Sequence, residues 1–271
     1  MKNKNISFAI NQIVLPNAEF IDFVNLAKLL DISAIEIRND IANNLIKENN
    51  PQNIKNICQS RSIKIININA LQKFNIWTAK RSKEFITLCE YATAAGIEAI
   101  VLVPLNDGTQ TDITDRKKIL KESLKEILPI LQEYNLTGFI EPLGFISSSL
   151  RFKSEAVEAI NELSSPLFKM VQDTFHHFLS GEHIDFPSLT GLVHISGVKN
   201  THIEISKLKD DHRSVIDKND ILNNIGQIKS LLKSGYKDFF SFEPFSSSIL
   251  EKNYSYQASR KSFDFIQSNL N

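Results

Sequence analysis

Short runs of mostly apolar, β-branched or aromatic residues recur along the chain. They fall at 6–10 (ISFAI), 34–38 (AIEIR), 63–69 (IKIININ), 98–103 (EAIVLV), 137–141 (TGFIE), 168–173 (FKMVQD), 191–195 (GLVHI) and 239–243 (FFSFE). Each is apolar through most of its length, the pattern of a strand buried on both faces. Between them the spacing changes to steps of three and four. Phe20, Phe23, Val24, Ala27 and Leu30 share one helical face within 19–30, and Ile119, Leu120, Leu124, Ile127, Leu128 and Leu131 share one within 117–134. Segments 153–163, 220–233 and 254–270 read the same way. Thr114 and Pro51 are placed to open helices, and Gly96 and Gly235 to end helices ahead of a strand.

Eight strands, each followed by a helix, predict a closed (β/α)₈ TIM barrel in preference to a doubly wound open sheet. No Pro/Ser/Gly-rich linker or charge block divides the 271 residues, so residues 1–271 are expected to form one domain. Charge narrows the choice of partner. Lys+Arg and Asp+Glu are 31 each, so no net field gathers phosphates and a nucleic-acid partner is not expected. None of the 9 glycines falls in a GxGxxG or GxxxxGK[ST] pattern, which removes nucleotide fingerprints. Cys58 and Cys89 stand far apart, suiting a reducing compartment and no disulfide framework. With no signal-like start and no apolar stretch near the ~20 residues of a membrane span, the expected location is the cytoplasm, without a membrane partner.

A barrel of this kind carries its chemistry where the strands end. The fifth to eighth strands end in Glu141, Asp173, His194 and Glu243. Carboxylates crowded into one mouth repel and resist ionisation, and a divalent cation removes that conflict. Three oxygen donors with one imidazole suit Mn, Zn or Co better than Mg. The two glutamates also share a context. FIEPLGFISSSL (139–150) and FSFEPFSSSIL (240–250) both set Glu-Pro at a strand end, followed by Phe and three serines. Two similar turns would hold both carboxylates at one level of the barrel.

All 6 histidines lie at or beyond position 176. His176, three residues after Asp173, is expected to face the same mouth, where it could bind a substrate hydroxyl or shuttle a proton. His177 is expected to be structural, and His183 and His202 to be solvated. Arg213 could reach a substrate oxygen or pair at the surface with Asp210 or Asp211. Arg38 and Glu36 could pair with each other. Cys89 is expected in the core. Phe74 and Trp77 could line a sugar pocket or pack down on the barrel.

The motifs EIR (36–38), NAL (69–71), VPL (103–105), IEPLG (140–144), DTFH (173–176), HIS (194–196), DDHR (210–213) and SFEPF (241–245) run in one order along nearly the whole chain. In that order they resemble the xylose isomerase-like barrel family of sugar isomerases and epimerases, most of all its members acting on inosose-like cyclic polyol ketones. The resemblance implies one divalent metal held by Glu141, Asp173, His194 and Glu243, with His176 and Arg213 contacting substrate. It implies an isomerase or epimerase in which Glu141 or Glu243 removes the proton beside a ketone and an enediolate forms. A dehydratase or a non-catalytic sugar-binding barrel would use the same scaffold. A related DNA-repair endonuclease would need histidines on the early strands and a basic groove, and the absence of histidine before 176 and the zero net charge speak against it. Two segments depart from the family pattern: Ser196-Gly197 stand where acidic residues are usual, and SVIDKNDIL after Arg213 lacks a Pro-Gly-x-Gly turn. Self-association is left open.

Overall fold

The computed structural model describes residues 6–41, 45–110, 112–199, 202–250 and 252–270. Its strands are β1 Ser7–Asn11, β2 Ala34–Arg38, β3 Lys64–Gln72, β4 Ala99–Val103, β5 Thr137–Ile140, β6 Phe168–Asp173, β7 Thr190–Ile195 and β8 Phe239–Phe242. Each pairs in parallel with the next, and β8 returns to β1 with Phe239 to Phe242 opposite Ser7 to Ile10, closing the barrel.

Alternate residues of these strands serve two separate cores. Ala9, Ala34, Ala99, Val101, Phe139, Val171 and Leu192 form one cluster with Ile66 and Ala70, small enough to share the barrel interior. Their neighbours Ile10, Ile35, Ile37, Ile100, Leu102, Ile140, Met170, Val193 and Phe240 join the outer core, against the helices. Both faces are apolar, so no polar–apolar alternation shows in the sequence. The alternation returns toward the C-terminal ends. Two residues on from an inward apolar side chain stands a buried polar one: Asn11 after Ala9, Glu36 after Ala34, Glu141 after Phe139, Asp173 after Val171, His194 after Leu192. The barrel is thus dry at one end and polar at the other.

The helices are α1 Phe20–Leu29, α2 Leu45–Glu48, α3 Pro51–Ser60, α4 Ala79–Ala95, α5 Ile113–Tyr134, α6 Lys153–Leu163, α7 Thr174–Ser180, α8 Asn224–Lys233 and α9 Lys252–Asn269. Pro51 opens α3 as expected, and Gly96 ends α4 in a left-handed conformation (φ 72°). Several boundaries differ from the sequence reading. Asp112, not Thr114, caps α5: its carboxylate accepts from the backbone N–H groups of Thr114 (2.9 Å) and Asp115 (3.1 Å). Residues 220–223 are loop, because Asn223 takes a left-handed conformation and its side chain accepts from Gly226 to start α8. The strand expected to end at Asn69 runs on to Gln72.

Candidate metal centre

The polar end of the barrel is organised by the last residues of its strands. Glu141 and Glu243 each stand one residue beyond a strand. The Glu141 N–H donates to Leu102 of β4 (3.1 Å) and the Glu243 N–H to Ile195 of β7 (3.0 Å). Each extends its ladder by one bond, and the following Pro142 or Pro244, lacking an N–H, extends it no further. The two Glu-Pro turns of the sequence are therefore equivalent in backbone. Asp173 ends β6 and caps α7, its Oδ1 accepting from the N–H groups of Phe175 (2.7 Å) and His176 (3.3 Å). This cap places His176 on the first turn of α7, at the mouth. His194 lies next to last in β7.

Glu141, Asp173, His194 and Glu243 are all buried, and each offers a ligand atom within 4.8 Å of the others. Nδ1 of His194 looks onto all three carboxylates: 2.9 Å from Glu141, 3.2 Å from Glu243 and 3.8 Å from Asp173. The side chains above it form a cavity of about 320 Å³, whose lining includes Glu141, Glu243, His176, Arg213, Arg38 and Asn69. The structure thus brings together all six residues singled out by the sequence.

Although alike in backbone, the two glutamates differ in surroundings. Oε1 of Glu243 accepts from Arg38 Nη1 (2.8 Å), Asn11 Nδ2 (3.1 Å) and Asn69 Nδ2 (3.3 Å), and Oε2 from Arg213 Nη2 (2.9 Å). Burial pushes this carboxyl up, but His194, Arg213 and Arg38 more than offset it and hold Glu243 well below the usual carboxylate range. Burial pushes the Glu141 carboxyl up too, and there His194 offsets it only in part. Burial would lower the His194 pKa, yet Glu243, Glu36 and Glu141 raise it well above the ordinary value. The site attracts positive charge, here supplied by the guanidinium groups of Arg38 and Arg213. Three carboxylates and one imidazole nitrogen converging at this range make a donor set that fits a divalent cation of borderline hardness.

Several residues depart from the sequence reading. Arg38 and Glu36 do not pair with each other: Arg38 reaches Glu243 and Asp40 (2.8 Å each), and Glu36 reaches His194 Nε2 (3.0 Å). Both alternate onto the inner face of β2, but at different depths, so each meets whatever barrel closure brings opposite. Arg213 is not a surface residue. It is 1% exposed, donates from Nη2 to Asp173 Oδ2 (2.6 Å) as well as to Glu243, and touches Asp210 at 3.2 Å. Its Nε donates to Ser196 Oγ (2.9 Å), and Gly197 exchanges backbone bonds with Ser214 (2.8 and 2.6 Å). The Ser196-Gly197 departure is thus what seats Arg213. Phe74 is fully buried and Trp77 packs on the outer core against Phe85, so neither lines the cavity. The aromatic walls are Phe145 and Phe245, the phenylalanines of the two Glu-Pro turns. His183 and His202 are exposed, and Cys89 is buried.

Sequence reasoning missed the roles of Asn11, Glu36, Asn69 and Ser196. The signal was there for Glu36: a carboxylate inside an otherwise apolar strand must have a partner.

A family model described as a xylose isomerase-like TIM barrel matches residues 24–268. An inosose isomerase of Halalkalibacterium halodurans is 27% identical over 155 residues, 55% of each chain. One of Bacillus subtilis is 27% identical over 127 residues, 45% of this chain and 46% of that one. The chain spans about half the length of the curated relatives it matches. A xylose isomerase domain-containing protein of Salmonella typhimurium LT2 is 32% identical and superposes with a TM-score of 0.90 over 98% of this chain and 99% of that one. The IOLI protein, crystallised with a zinc atom, shares the fold at a TM-score of 0.88 and 21% identity, over 98% and 99% of the two chains.

Proposed function

The chain belongs to the xylose isomerase-like TIM barrel family, and from that premise we propose that it is a divalent-metal-dependent isomerase or epimerase of a sugar or an inosose-like cyclic polyol ketone. One observation carries this reading: four buried ligand atoms within 4.8 Å of one another at the floor of a cavity sized for one sugar ring. Glu141, Asp173, His194 and Glu243 would hold the ion. When bound, a divalent ion supplies Lewis acidity to a ketone and its neighbouring hydroxyl, acidifying the intervening C–H. Zinc, manganese or cobalt suits the donor set better than magnesium.

The chain's own groups then do three things. Glu141 and Glu243 move the proton. Their surroundings push their proton affinities apart, which suits one carboxylate to remove a proton and the other to return one. His176 and Arg213 orient the substrate. His176 lines the cavity, where its ring could meet a substrate hydroxyl. Its ring is held edge-on between Phe145 (centroids 5.0 Å apart) and Phe175 (5.2 Å). Phe145 and Phe245 exclude water from one side of the ring. The inosose isomerase relatives support a cyclic polyol ketone as the substrate class.

Incubating the zinc-loaded protein with 2-keto-inositol in heavy water tests this. Deuterium entering beside the carbonyl, with the carbonyl moved or a centre inverted, is the expected result. Exchange followed by an absorbing enone would mark a dehydratase instead. No exchange with any cyclic or open-chain ketose would leave only a binding protein and overturn the enzyme reading.

A further inference from the structure

Glu36 is a fully buried carboxylate beside the candidate ligands that the reaction scheme does not use. It sits in the middle of β2, fully buried, one turn of the pleat below the candidate ligands. Three donors converge on it. Oε2 faces His194 Nε2 at 3.0 Å and accepts from Asn67 Nδ2 at 3.0 Å, while Oε1 accepts from the Ser241 hydroxyl. Asn67 comes from β3, the neighbour of β2, and Ser241 from β8, on the far side of β1, so two strands fix the carboxylate's plane. It has no route to substrate: the cavity lining includes Arg38, two residues up the same face, and not Glu36.

The imidazole has two nitrogens, and the barrel gives each a different neighbour. Nδ1 faces Glu141, Glu243 and Asp173, and Nε2 faces Glu36. A ring that binds a cation must present a lone pair on the ligand side and carry its proton on the other. Without an acceptor below, the three carboxylates on the Nδ1 side would draw the proton there, and a buried Nε2–H would be left unsatisfied.

We propose that Glu36 is the positioning residue of the metal centre: it accepts the Nε2–H of His194 and so fixes Nδ1 as the metal-binding nitrogen. This rests on the metal reading above. The acceptor is a carboxylate and not a backbone carbonyl, so it also strengthens the imidazole as a donor to the ion. Asn67 and Ser241 act one step further out, by holding Glu36.

The test uses zinc and two variants. Glu36→Met keeps the volume and removes the acceptor. Its zinc dissociation constant, measured by competition with a chromogenic chelator, should rise roughly 10–100-fold. In zinc-loaded wild type labelled with ¹⁵N-histidine, long-range proton–nitrogen spectra should show His194 coordinated through Nδ1, with a slowly exchanging, strongly downfield Nε2–H. Glu36→Gln keeps an oxygen at the same reach. It should hold zinc within about 3-fold of wild type, while the Nε2–H resonance moves upfield as the charged acceptor is lost. Should Glu36→Met fail to fold, the glutamine variant alone decides. An unmoved Nε2–H in Glu36→Gln, coordination through Nε2, or wild-type zinc affinity in a folded Glu36→Met would each overturn the proposal. If wild type itself binds no zinc, the metal reading has failed, which is a different result.

Discussion

At the scale of single residues, the candidate site is a contest over charge. Four carboxylates, Glu36, Glu141, Asp173 and Glu243, are buried within reach of one histidine and two arginines. The cluster of Glu141, Asp173, His194 and Glu243 was legible in the sequence because a strand-end position is visible in a hydrophobic pattern, and the four strands concerned are consecutive. The partners were not. Arg38 meets Glu243 across 205 positions, and only barrel closure brings β2 and β8 that near. The asymmetry between Glu141 and Glu243 was illegible for the same reason, since their sequence contexts are nearly the same. Glu141→Gln and Glu243→Gln should each lower kcat by roughly 10²–10⁴-fold, the range for loss of a general acid or base. Steady-state kinetics at saturating zinc would show it; a loss confined to KM would argue that neither carboxylate moves a proton. His177 gives a pH signature away from the site. Burial and the nearby Lys153 depress its pKa from 6.5 to about 4. The unfolded chain therefore binds a proton that the folded chain refuses. Stability from this group is complete above pH 6.5 and drains away as the pH falls toward 4, by about 2 kcal/mol after allowance for partial exposure. Urea unfolding at pH 7 and pH 4.5 should show that loss in wild type, and a smaller one in His177→Gln.

At the scale of elements, the strands were the most legible part and the loops the least. Runs such as AIVLV are buried on both faces, so composition alone marks them. Helix α4 was marked in the sequence by its end at Gly96 and not by its bounds, because its buried stripe is completed by Cys89, Ala92 and Ala95, which carry little hydrophobic signal. Between 196 and 223 the sequence singled out Arg213 but not the contacts that seat it, Gly197 with Ser214 and Ser196 with Arg213. Two glycines set these elements by close approach. A Cβ at Gly197 would lie 2.1 Å from the Val215 carbonyl oxygen, and one at Gly144 would lie 2.2 Å from that of His176. Gly197→Ala must part the two loop strands that carry Arg213, and Gly144→Ala must push α7 and its His176 away from the β5–α6 loop. Each should cost about 1–3 kcal/mol of stability. If His176 orients substrate as proposed, Gly144→Ala should also raise KM for the ketone more than it lowers kcat. Thermal unfolding with steady-state kinetics checks both; an unshifted midpoint in either variant would show that the loop relaxes freely.

At the scale of the whole molecule, the barrel separates two tasks. The end where the strands begin is filled by alanine, valine, isoleucine, leucine and phenylalanine and, with the outer core, holds the fold together. The other end concentrates buried charge that folding does not need. An ion binding there should stabilise the native state alone. Zinc at about 100 times its dissociation constant should add about 2.7 kcal/mol, lifting Tm by roughly 5–10 °C for a chain of this size. No described helix is long and apolar enough to cross a membrane. The fold was legible because it repeats one pattern eight times. The substrate was not, because the loops that would select it carry no such repetition.

The central claim is that Glu141, Asp173, His194 and Glu243 hold one divalent ion, and metal analysis of the purified chain tests it most directly. Mass spectrometry of protein dialysed against zinc should find about one ion per chain, with the Tm rise that accompanies it. The Glu141→Gln/Asp173→Asn double variant, folded by circular dichroism, should hold almost none. Wild-type protein that stays metal-free and shows no zinc-dependent rise in Tm would contradict the claim.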